Sequence, residues 1–470
     1  MNRRSFIQSF GLFTGAAFIS LQTKGYGNLK RGDTIKGKVI ANRKGVAGVA
    51  ISDGFSVVIT NSKGEYIIKP HQNAIQIFMS TPSGYEFKTT HNIAEQYEML
   101  GSRNQYDFEL VRLKKNDDKH NFIIWADPQV KNKKDVQQMM ETAVPDVKKE
   151  IASMGSDALV HGICVGDIVW DNHTLFPDYN SAVAQMGIPF FQALGNHDMD
   201  YRQGGDDTSD KTFKEVYGPT YYSFNRGKAH YVVLDDVRYL GSERLYDGYI
   251  TENQLEWLAK DLQYVDKGKL IIICLHIPVH NAVKNNEALY ATLEGFENVH
   301  IMSGHTHYNT NVIKNGIYEH NHGTVCGAWW TGPICEDGTP RGYGVYEVDG
   351  TKLKWYYKST GLDRTKQLSI YVDKLSDQQR LVANVWNWDH EWKVEYTLDD
   401  KPMGALEQLK GYDPLAVELY KGDNLPVGRA FAEPRKTEHL FIAHFNASIK
   451  KVEVNVMDRF GNKYTAVAES

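Results

Sequence analysis

The stretch PFFQALGNHD, residues 189–198, joins a short apolar run to a Gly and then to three polar residues. The apolar half is typical of a buried β-strand. The polar half can hold a metal ion, transfer a proton or fix a turn, but it cannot build a core. The stretch therefore predicts a strand that ends at a functional edge, and other strands of the chain can be compared with it.

The same pattern recurs five times between residues 121 and 307, and each apolar run ends in Asp or His. Helix-like stretches lie between the runs, and Thr251 with Gln254 predicts a capping box at the start of one helix. Alternating strands and helices predict an α/β domain, in which ligands bind where the strand ends converge. The five runs are NFIIWAD (121–127), DALVHGICVGD (157–167), AHYVVLDD (229–236), KLIIICLH (269–276) and NVHIMSGHTH (298–307).

The side chains at these strand ends offer nitrogen and oxygen donors and no thiolate. Alternate residues of an extended segment point the same way, so His305 and His307 can face one site, as can Asp127 and Gln129. Such a donor set suits Mn, Fe or Zn better than a structural cysteine site would. Seven side chains are enough for two ions when one carboxylate bridges them. These candidates are Asp127, Gln129, Asp167, Asn196, His276, His305 and His307.

The order of the motifs resembles that of the calcineurin-like metallophosphoesterases. That family carries D-x-H, G-D, G-N-H-D/E, a lone His and G-H-x-H, and this chain carries DPQ, GD, GNHD, LHIP and GHTH in the same order. The resemblance implies a four-layer α/β-β/α sandwich with two divalent metal ions. It assigns Asp127, Gln129, Asp167 and His307 to the first metal, with Asp167 bridging, and Asn196, His276 and His305 to the second.

The same resemblance implies hydrolysis of a phosphate monoester or diester, in a phosphorylated small molecule or an envelope component. A hydroxide that bridges the metals would attack phosphorus, and His197 would assist the leaving group as the catalytic acid. Asp198 would fix the turn that carries its neighbours.

Two departures from related patterns bear on this interpretation. Gln129 stands where the common pattern has His, and an amide oxygen binds soft metals less tightly than imidazole does. Trp170 stands where purple acid phosphatases have Tyr, so no metal–phenolate colour is expected. The Gln129 change leaves an alternative open, a metal-containing envelope binding protein with a degenerate site. A surface structural module without metal is a third interpretation.

Two small all-β domains are expected to flank the catalytic domain, which spans residues 119–363. Residues 34–112 resemble the transthyretin-like modules of exported bacterial enzymes, and residues 366–470 return to short β-like runs. The aromatic stretch VWNWDHEW, residues 385–392, favours interdomain packing over a ligand platform. The phrases at residues 217–231 and 326–344 resemble an exported bacterial subfamily with accessory domains at both ends.

Residues 1–28 predict a twin-arginine-like export signal, with an ordinary secretory signal as the alternative. The protein is therefore expected to be periplasmic or extracellular, without a transmembrane anchor. A net charge of −5 over 470 residues gives no sign of a nucleic-acid-binding surface. Cys164 and Cys274 lie in apolar runs and are expected to be buried, whereas Cys326 and Cys335 either pair or remain free.

For several other residues the sequence allows two roles. Asp171 either orients the site or caps a helix, and Arg341 is favoured as a turn residue over a phosphate contact. Trp329 and Trp330 are favoured as packing residues over a pocket wall. Five further histidines are expected to be hydrogen-bonded neighbours of the site or surface groups rather than ligands: His161, His280, His300, His320 and His322.

Overall fold

The computed structural model of the protein describes residues 34–421, 423, 425 and 432–469. The expected export signal at residues 1–28 lies outside the described residues. Within the described ranges, every helix is too short or too polar to cross a membrane.

The N-terminal region is built from short strands in two small sheets. Strand β1 pairs with β2, β5 and β10, and β3, β4, β6 and β9 form the other sheet. Odd-numbered residues of β1 are buried, as expected for a strand with one face on a core. The strands are β1 (Ile35–Ala41), β2 (Lys44–Gly45), β3 (Ala50–Ser52), β4 (Val57–Ile59), β5 (Glu65–Ile68), β6 (Gln76–Met79), β7 (Thr89–Thr90), β8 (Ile93–Ala94), β9 (Tyr97–Met99) and β10 (Phe108–Glu109).

The central region alternates strands and helices. Its strands are β11 (Lys119–Trp125), β12 (Val160–Cys164), β13 (Phe190–Gln192), β14 (Tyr222–Arg226), β15 (Ala229–Val233), β16 (Val237–Tyr239), β17 (Tyr246–Gly248), β18 (Leu270–Cys274), β19 (Asn298–Ser303), β20 (Thr310–Lys314), β21 (Ile317–Asn321), β22 (Gly342–Asp349) and β23 (Lys352–Ser359). Its helices are α1 (Lys133–Glu141), α2 (Ala143–Ser153), α3 (Phe176–Ala184), α4 (Lys211–Tyr217), α5 (Glu252–Leu262) and α6 (Asn286–Thr292).

Two sheets face each other in this central region. One has the order β23-β22-β11-β12-β13-β8-β7 and the other the order β14-β15-β18-β19-β21-β20. Aromatic side chains fill the space between them, and the rings of Phe191 and Phe224 stack with centroids 3.8 Å apart. Tyr356 of β23 donates to Glu150 of α2 at 2.7 Å, which fixes this helix on the outer face of the first sheet. The expected four-layer sandwich is confirmed.

Strand β8 belongs to the first sheet of the central region although it lies in the N-terminal part of the chain. Ile93 pairs in parallel with Phe190 of β13, and Asn92 accepts a hydrogen bond from the Phe190 amide at 2.7 Å. The Trp257 indole of α5 also donates to Ser52 Oγ at 3.0 Å. The N-terminal region is therefore attached to both halves of the sandwich.

Two local expectations for the helices differ from the structure. The helical stretch at residues 136–154 is broken at Thr142. Pro145 has no N–H to donate to the Glu141 carbonyl, and the Thr142 hydroxyl donates to the Gln138 carbonyl at the end of α1. The capping box at Thr251 does not form. Gln254 bonds the backbone of Asp235 at 2.8 and 3.0 Å and so holds the end of β15 instead.

The C-terminal region contains two further four-stranded sheets, β24-β25-β29-β28 and β27-β26-β30-β31, and one helix. Its aromatic stretch contacts the central region, since Asp389 accepts from Tyr318 at 2.8 Å. The elements are β24 (Leu368–Lys374), β25 (Gln378–Val385), β26 (Lys393–Leu398), β27 (Lys401–Ala405), β28 (Glu407–Tyr412), α7 (Pro414–Lys421), β29 (Lys436–Asn446), β30 (Lys451–Met457) and β31 (Lys463–Glu469).

All four cysteines are free and buried, so the structure has Cys326 and Cys335 as thiols.

Candidate metal centre

The polar residues of the motifs meet where the two central sheets present the carboxyl ends of their strands. Asp127, Asp167 and Asn196 follow β11, β12 and β13 of the first sheet, and His276 follows β18 of the second. His305 and His307 follow β19. Asp127 and His276 are fully buried, and the other candidates line a pocket above them.

The loops of the centre approach one another closely, and several of their residues have left-handed φ angles. A Cβ on Gly195 would lie 2.0 Å from the Asp167 nitrogen, and one on Gly304 would lie 2.7 Å from Asp127 Oδ2. Five of the candidate ligands have left-handed φ angles, which cost L-residues about 1–2 kcal/mol each. These angles are 51° at Asp127, 39° at Gln129, 52° at Asp167, 70° at His305 and 59° at His307.

One half of the centre is organised around His276 Nε2. This nitrogen lies 3.3 Å from Asp167 Oδ1, 3.1 Å from Asn196 Oδ1 and 3.2 Å from His305 Nδ1. His276 Nδ1 lies 2.9 Å from the Val165 carbonyl oxygen and must donate to it. This tautomer leaves a lone pair on Nε2, and a second partner that fixes a ring in this way is typical of metal-bound histidine.

The other half contains Asp127, Gln129 and His307. Asp127 Oδ1 lies 3.5 Å from His307 Nε2, and Gln129 Nε2 donates to Asp167 Oδ2 at 2.8 Å. Among the described residues, none makes a hydrogen bond to Asp127 Oδ1, Gln129 Oε1 or His307 Nδ1, although all three atoms are buried. Buried polar atoms without partners are costly, so these atoms fit a site that is completed by a metal ion.

The charges of the two buried carboxylates also suit a cation. Burial alone would lower the pKa of His276, but the negative charge of Asp167 raises it to about 10. Burial and the neighbouring His276 lower the pKa of His305 to about 4. The negative charges of the carboxylates thus stabilise a positive charge between the two sheets, and a divalent metal ion would benefit in the same way.

His197 lies beside the candidate ligands and bonds to other groups. Its Nδ1 is 2.9 Å from Asp171 Oδ1 and 3.0 Å from Arg244 Nη2, and Arg244 also pairs with Asp171 Oδ2 at 2.6 Å. Burial opposes protonation, but Asp167 and Asp171 together raise the pKa of His197. The sequence left the role of Asp171 open, and the structure has it orienting His197 rather than capping a helix.

Two further carboxylates hold the loops. Asp198 accepts from the backbone amides of Gly195, Ile168 and Val169 at 3.0–3.1 Å. Asp236 accepts from the His276 amide at 3.0 Å. The Asp198 bonds fix the G-D and G-N-H-D loops relative to each other, and the Asp236 bond fixes the lone-His loop to the loop after β15.

The pocket above the centre has a volume of about 210 Å³. Its rim is partly aromatic, since the Trp329 ring lies 4.5 Å from that of His307 and the Trp170 ring 5.3 Å from that of His197. Trp329 was expected to be a packing residue, but it lines this pocket. The pocket is lined by Gln129, Asp167, Trp170, Asn196, His197, Tyr246, His305, Thr306, His307, Trp329, Glu336 and Arg435.

Four further residues at the site were not predicted, because none of them lies in a recognisable motif: Arg244, Tyr246, Glu336 and Arg435. Arg435 in particular lies in the C-terminal part of the chain, and no pattern in its surroundings relates it to the strand ends.

The other histidines do not line the pocket. His161, His300, His320 and His322 are buried among aromatic rings between the sheets. His280 pairs with Glu319 at 3.1 Å. Arg341 lies over the Trp330 ring at 5.9 Å, away from the pocket-lining residues.

Three family models match consecutive parts of the chain. Residues 113–309 match the calcineurin-like phosphoesterase domain, residues 33–113 the N terminal of calcineurin-like phosphoesterase, and residues 319–464 the C terminal of calcineurin-like phosphoesterase.

The solved structures that the chain matches include a dimetal phosphatase from Danio rerio, with 15% identity and a TM-score of 0.36. The match covers 56% of this chain and 95% of that chain. Another is the purple acid phosphatase PPD1 from yellow lupin, with 12% identity, a TM-score of 0.36 and coverage of 72% of this chain and 67% of that chain. No curated protein sequence matches the chain.

Proposed function

The chain belongs to the calcineurin-like phosphoesterases, with both an N-terminal and a C-terminal accessory region, and we propose that it hydrolyses a phosphate ester with two divalent metal ions. The observation that carries the proposal is the convergence of seven nitrogen and oxygen donors from two sheets on one pocket. Three buried donor atoms among them have no protein partner in the described residues.

The donors divide into two sets that share Asp167. Asp127, Gln129 and His307 would hold one ion with Asp167, and Asn196, His276 and His305 would hold the other. When bound, two such ions activate water as a nucleophile and neutralise charge on the phosphoryl oxygens. Mn, Fe and Zn all suit this donor set.

The protein's own contribution is to position the ester and to move a proton. In the protonated His197, Nδ1 donates to Asp171, which Arg244 holds in turn, and Nε2 is left to transfer a proton to the leaving oxygen. The Asp198 and Asp236 bonds keep the ligand-bearing loops from relaxing. Such preorganised groups stabilise the transition state without a reorganisation cost.

The alternative is an envelope binding protein whose first metal set has weakened. It is supported by one contact, because Gln129 already donates its amide to Asp167 Oδ2 and presents a neutral oxygen where the family pattern has imidazole. One bound metal and no turnover would favour this alternative.

The testing experiment measures metal content and hydrolysis in the same samples. The mature protein is stripped, reloaded with Mn, Fe, Zn or Mg, and assayed on para-nitrophenyl phosphate and on bis(para-nitrophenyl) phosphate. Turnover with two metals per chain is the expected result, and the ratio of the two rates distinguishes monoesterase from diesterase. At most one metal and no turnover under every loading condition would refute the proposal.

We also propose that the protein is exported to the periplasm or beyond, which the paired Arg3 and Arg4 before an apolar run support. Residues 1–28 fused to a folded reporter should export it, and an Arg3→Lys, Arg4→Lys pair should retain it in the cytoplasm. Export of the Lys pair would indicate an ordinary secretory signal instead.

A further inference from the structure

The rim of the pocket contains a charge that hydrolysis at the metal centre does not require. Arg435 is the only Arg or Lys among the described residues that line the pocket. It comes from the C-terminal region, just before β29. Its position raises the question of which part of a substrate it contacts.

Arg435 is held on one side only. Its amide donates to the Glu336 carbonyl oxygen and its Nε donates to Glu336 Oε2, both at 2.9 Å. In the described part of the chain, neither of its Nη atoms makes a hydrogen bond. The Arg435 side chain is 62% exposed, whereas that of Glu336 is 6% exposed. The outer edge of the guanidinium is therefore available, and this group binds carboxylates and phosphates in pairs of parallel bonds.

A buried polar network fixes the segment that carries Arg435. Asp337 accepts from the Asn309 amide at 2.7 Å and lies 3.1 Å from His439 Nε2, while Asn384 donates to the Asp337 carbonyl at 2.9 Å. His439 lies on β29 and Asn384 on β25. Two strands of the C-terminal sheet are thus bound to the loop between β21 and β22, and Asn309 joins that loop to the residues after the G-H-T-H motif. A side chain on so rigid a support can discriminate between ligands.

We propose that Arg435 is a specificity-determining residue that binds a second anionic group of the substrate, a carboxylate or a further phosphate. The proposal rests on the proposed function for the ester bond itself. The rings of Trp170 and Trp329 lie on the same rim, 5.9 Å apart, and offer apolar surface to a flat leaving group. The substrate class is accordingly the phosphate ester of a ring-bearing, negatively charged alcohol.

The experiment compares two probes that differ in one carboxylate, phenyl phosphate and carboxyphenyl phosphate. The metal-loaded wild-type protein should prefer the carboxylated probe in kcat/KM, mainly through KM. Arg435→Gln should reduce that preference about 10- to 100-fold, as expected for loss of a charged hydrogen-bonding group, and Arg435→Lys should retain part of it. Lys410→Gln removes an exposed charge of the same C-terminal sheet, paired with Glu438, and should keep the wild-type preference.

A binding measurement separates this proposal from the proposed function. Calorimetry with phenylphosphonate and carboxyphenylphosphonate on the metal-loaded protein reports the anion preference without turnover. A preference that Arg435→Gln abolishes supports the proposal even if no ester is hydrolysed. An unchanged preference in Arg435→Gln, or an equal loss on both probes, would overturn it.

Discussion

The protein buries histidines in two regions of one domain, and His276 of the metal centre and His300 of the core have opposite pKa shifts. In the metal centre, burial works against protonation of His276, but Asp167 raises its pKa to about 10. Between the sheets, burial among aromatic rings lowers the pKa of His300 to about 3. Burial is common to both, so the negative charge of Asp167 accounts for the opposite pKa shifts of His276 and His300.

The largest expected effect follows from removing the carboxylate on which the metal centre depends. Asp167→Asn deletes the charge shared by the two donor sets. It should weaken metal binding by more than the roughly 10- to 100-fold expected for loss of a residue that only hydrogen-bonds a metal ligand. It should also abolish hydrolysis. Elemental analysis and the para-nitrophenyl phosphate assay check this, with the exposed Asp207→Asn as the control. A fully metallated, active Asp167→Asn protein would contradict the bridging role.

His197→Ala separates proton transfer from metal binding within the same region. We expect metal content close to wild type and turnover about 10²- to 10⁴-fold lower, the range for loss of a general acid. The exposed His390 provides a matched control as His390→Ala. If metal is lost together with activity, His197 is a ligand or a scaffold residue rather than the acid.

The core histidines should make the fold sensitive to acid. Burial lowers the pKa of His120 and His322 to about 4 and that of His300 to about 3. Below the unfolded value of about 6.5, the unfolded chain binds protons that the folded chain excludes, so stability falls as the pH drops from there towards 4. Each group contributes about 1.4 kcal/mol per pH unit inside this window. The buried carboxyls of Asp198 and Asp236, whose pKa values burial raises to about 7, contribute a slope of the opposite sign in the same window. Denaturant unfolding of the metal-free wild-type and His300→Phe proteins at several pH values isolates the histidine contribution, and equal slopes in the two proteins would contradict it.

The same substitution should have opposite consequences in the two regions. His161 Nε2 has no hydrogen-bond partner in the described residues, and its ring lies among Phe87, Phe122 and Phe224. His161→Phe should therefore raise stability by about 1 kcal/mol near neutral pH and reduce the acid slope. His305→Phe should instead remove metal binding. Thermal denaturation and metal analysis of both variants test the contrast, and destabilisation by His161→Phe would contradict the expected gain.

The two regions also differ in how far the sequence predicts them. Asp127, Asp167, His276 and the G-H-T-H pair could be predicted because each follows an apolar run, and the ends of neighbouring strands converge. The four core histidines stand inside or beside such runs, where the sequence could not distinguish an aromatic environment from a polar one. They were expected to be hydrogen-bonded neighbours of the site or surface groups rather than ligands; in the structure all four are buried and outside the pocket lining, and His300, His320 and His322 are hydrogen-bonded.

Long-range features were beyond the reach of local patterns. Strand β8 is two residues long and has no periodicity, so its pairing with β13 could not be predicted. Arg244 and Arg435 reach the site through loop geometry and domain packing, which depend on the whole fold. The break at Thr142, by contrast, could have been predicted from Pro145.

The left-handed backbone at five candidate ligands bears on how the sequence can change over evolutionary time. Glycine at Asp127, Gln129, Asp167, His305 or His307 would relieve about 1 kcal/mol or more of backbone strain at each position. At His307, whose buried Nδ1 makes no hydrogen bond in the described residues, a lineage that no longer bound metal would gain stability from this change. At Asp127 and Asp167 the change would also remove the acceptors of the His305 and His197 amides, which opposes the gain. The backbone strain at five candidate ligands, Gln129 included, is accordingly a stability cost of the candidate metal centre.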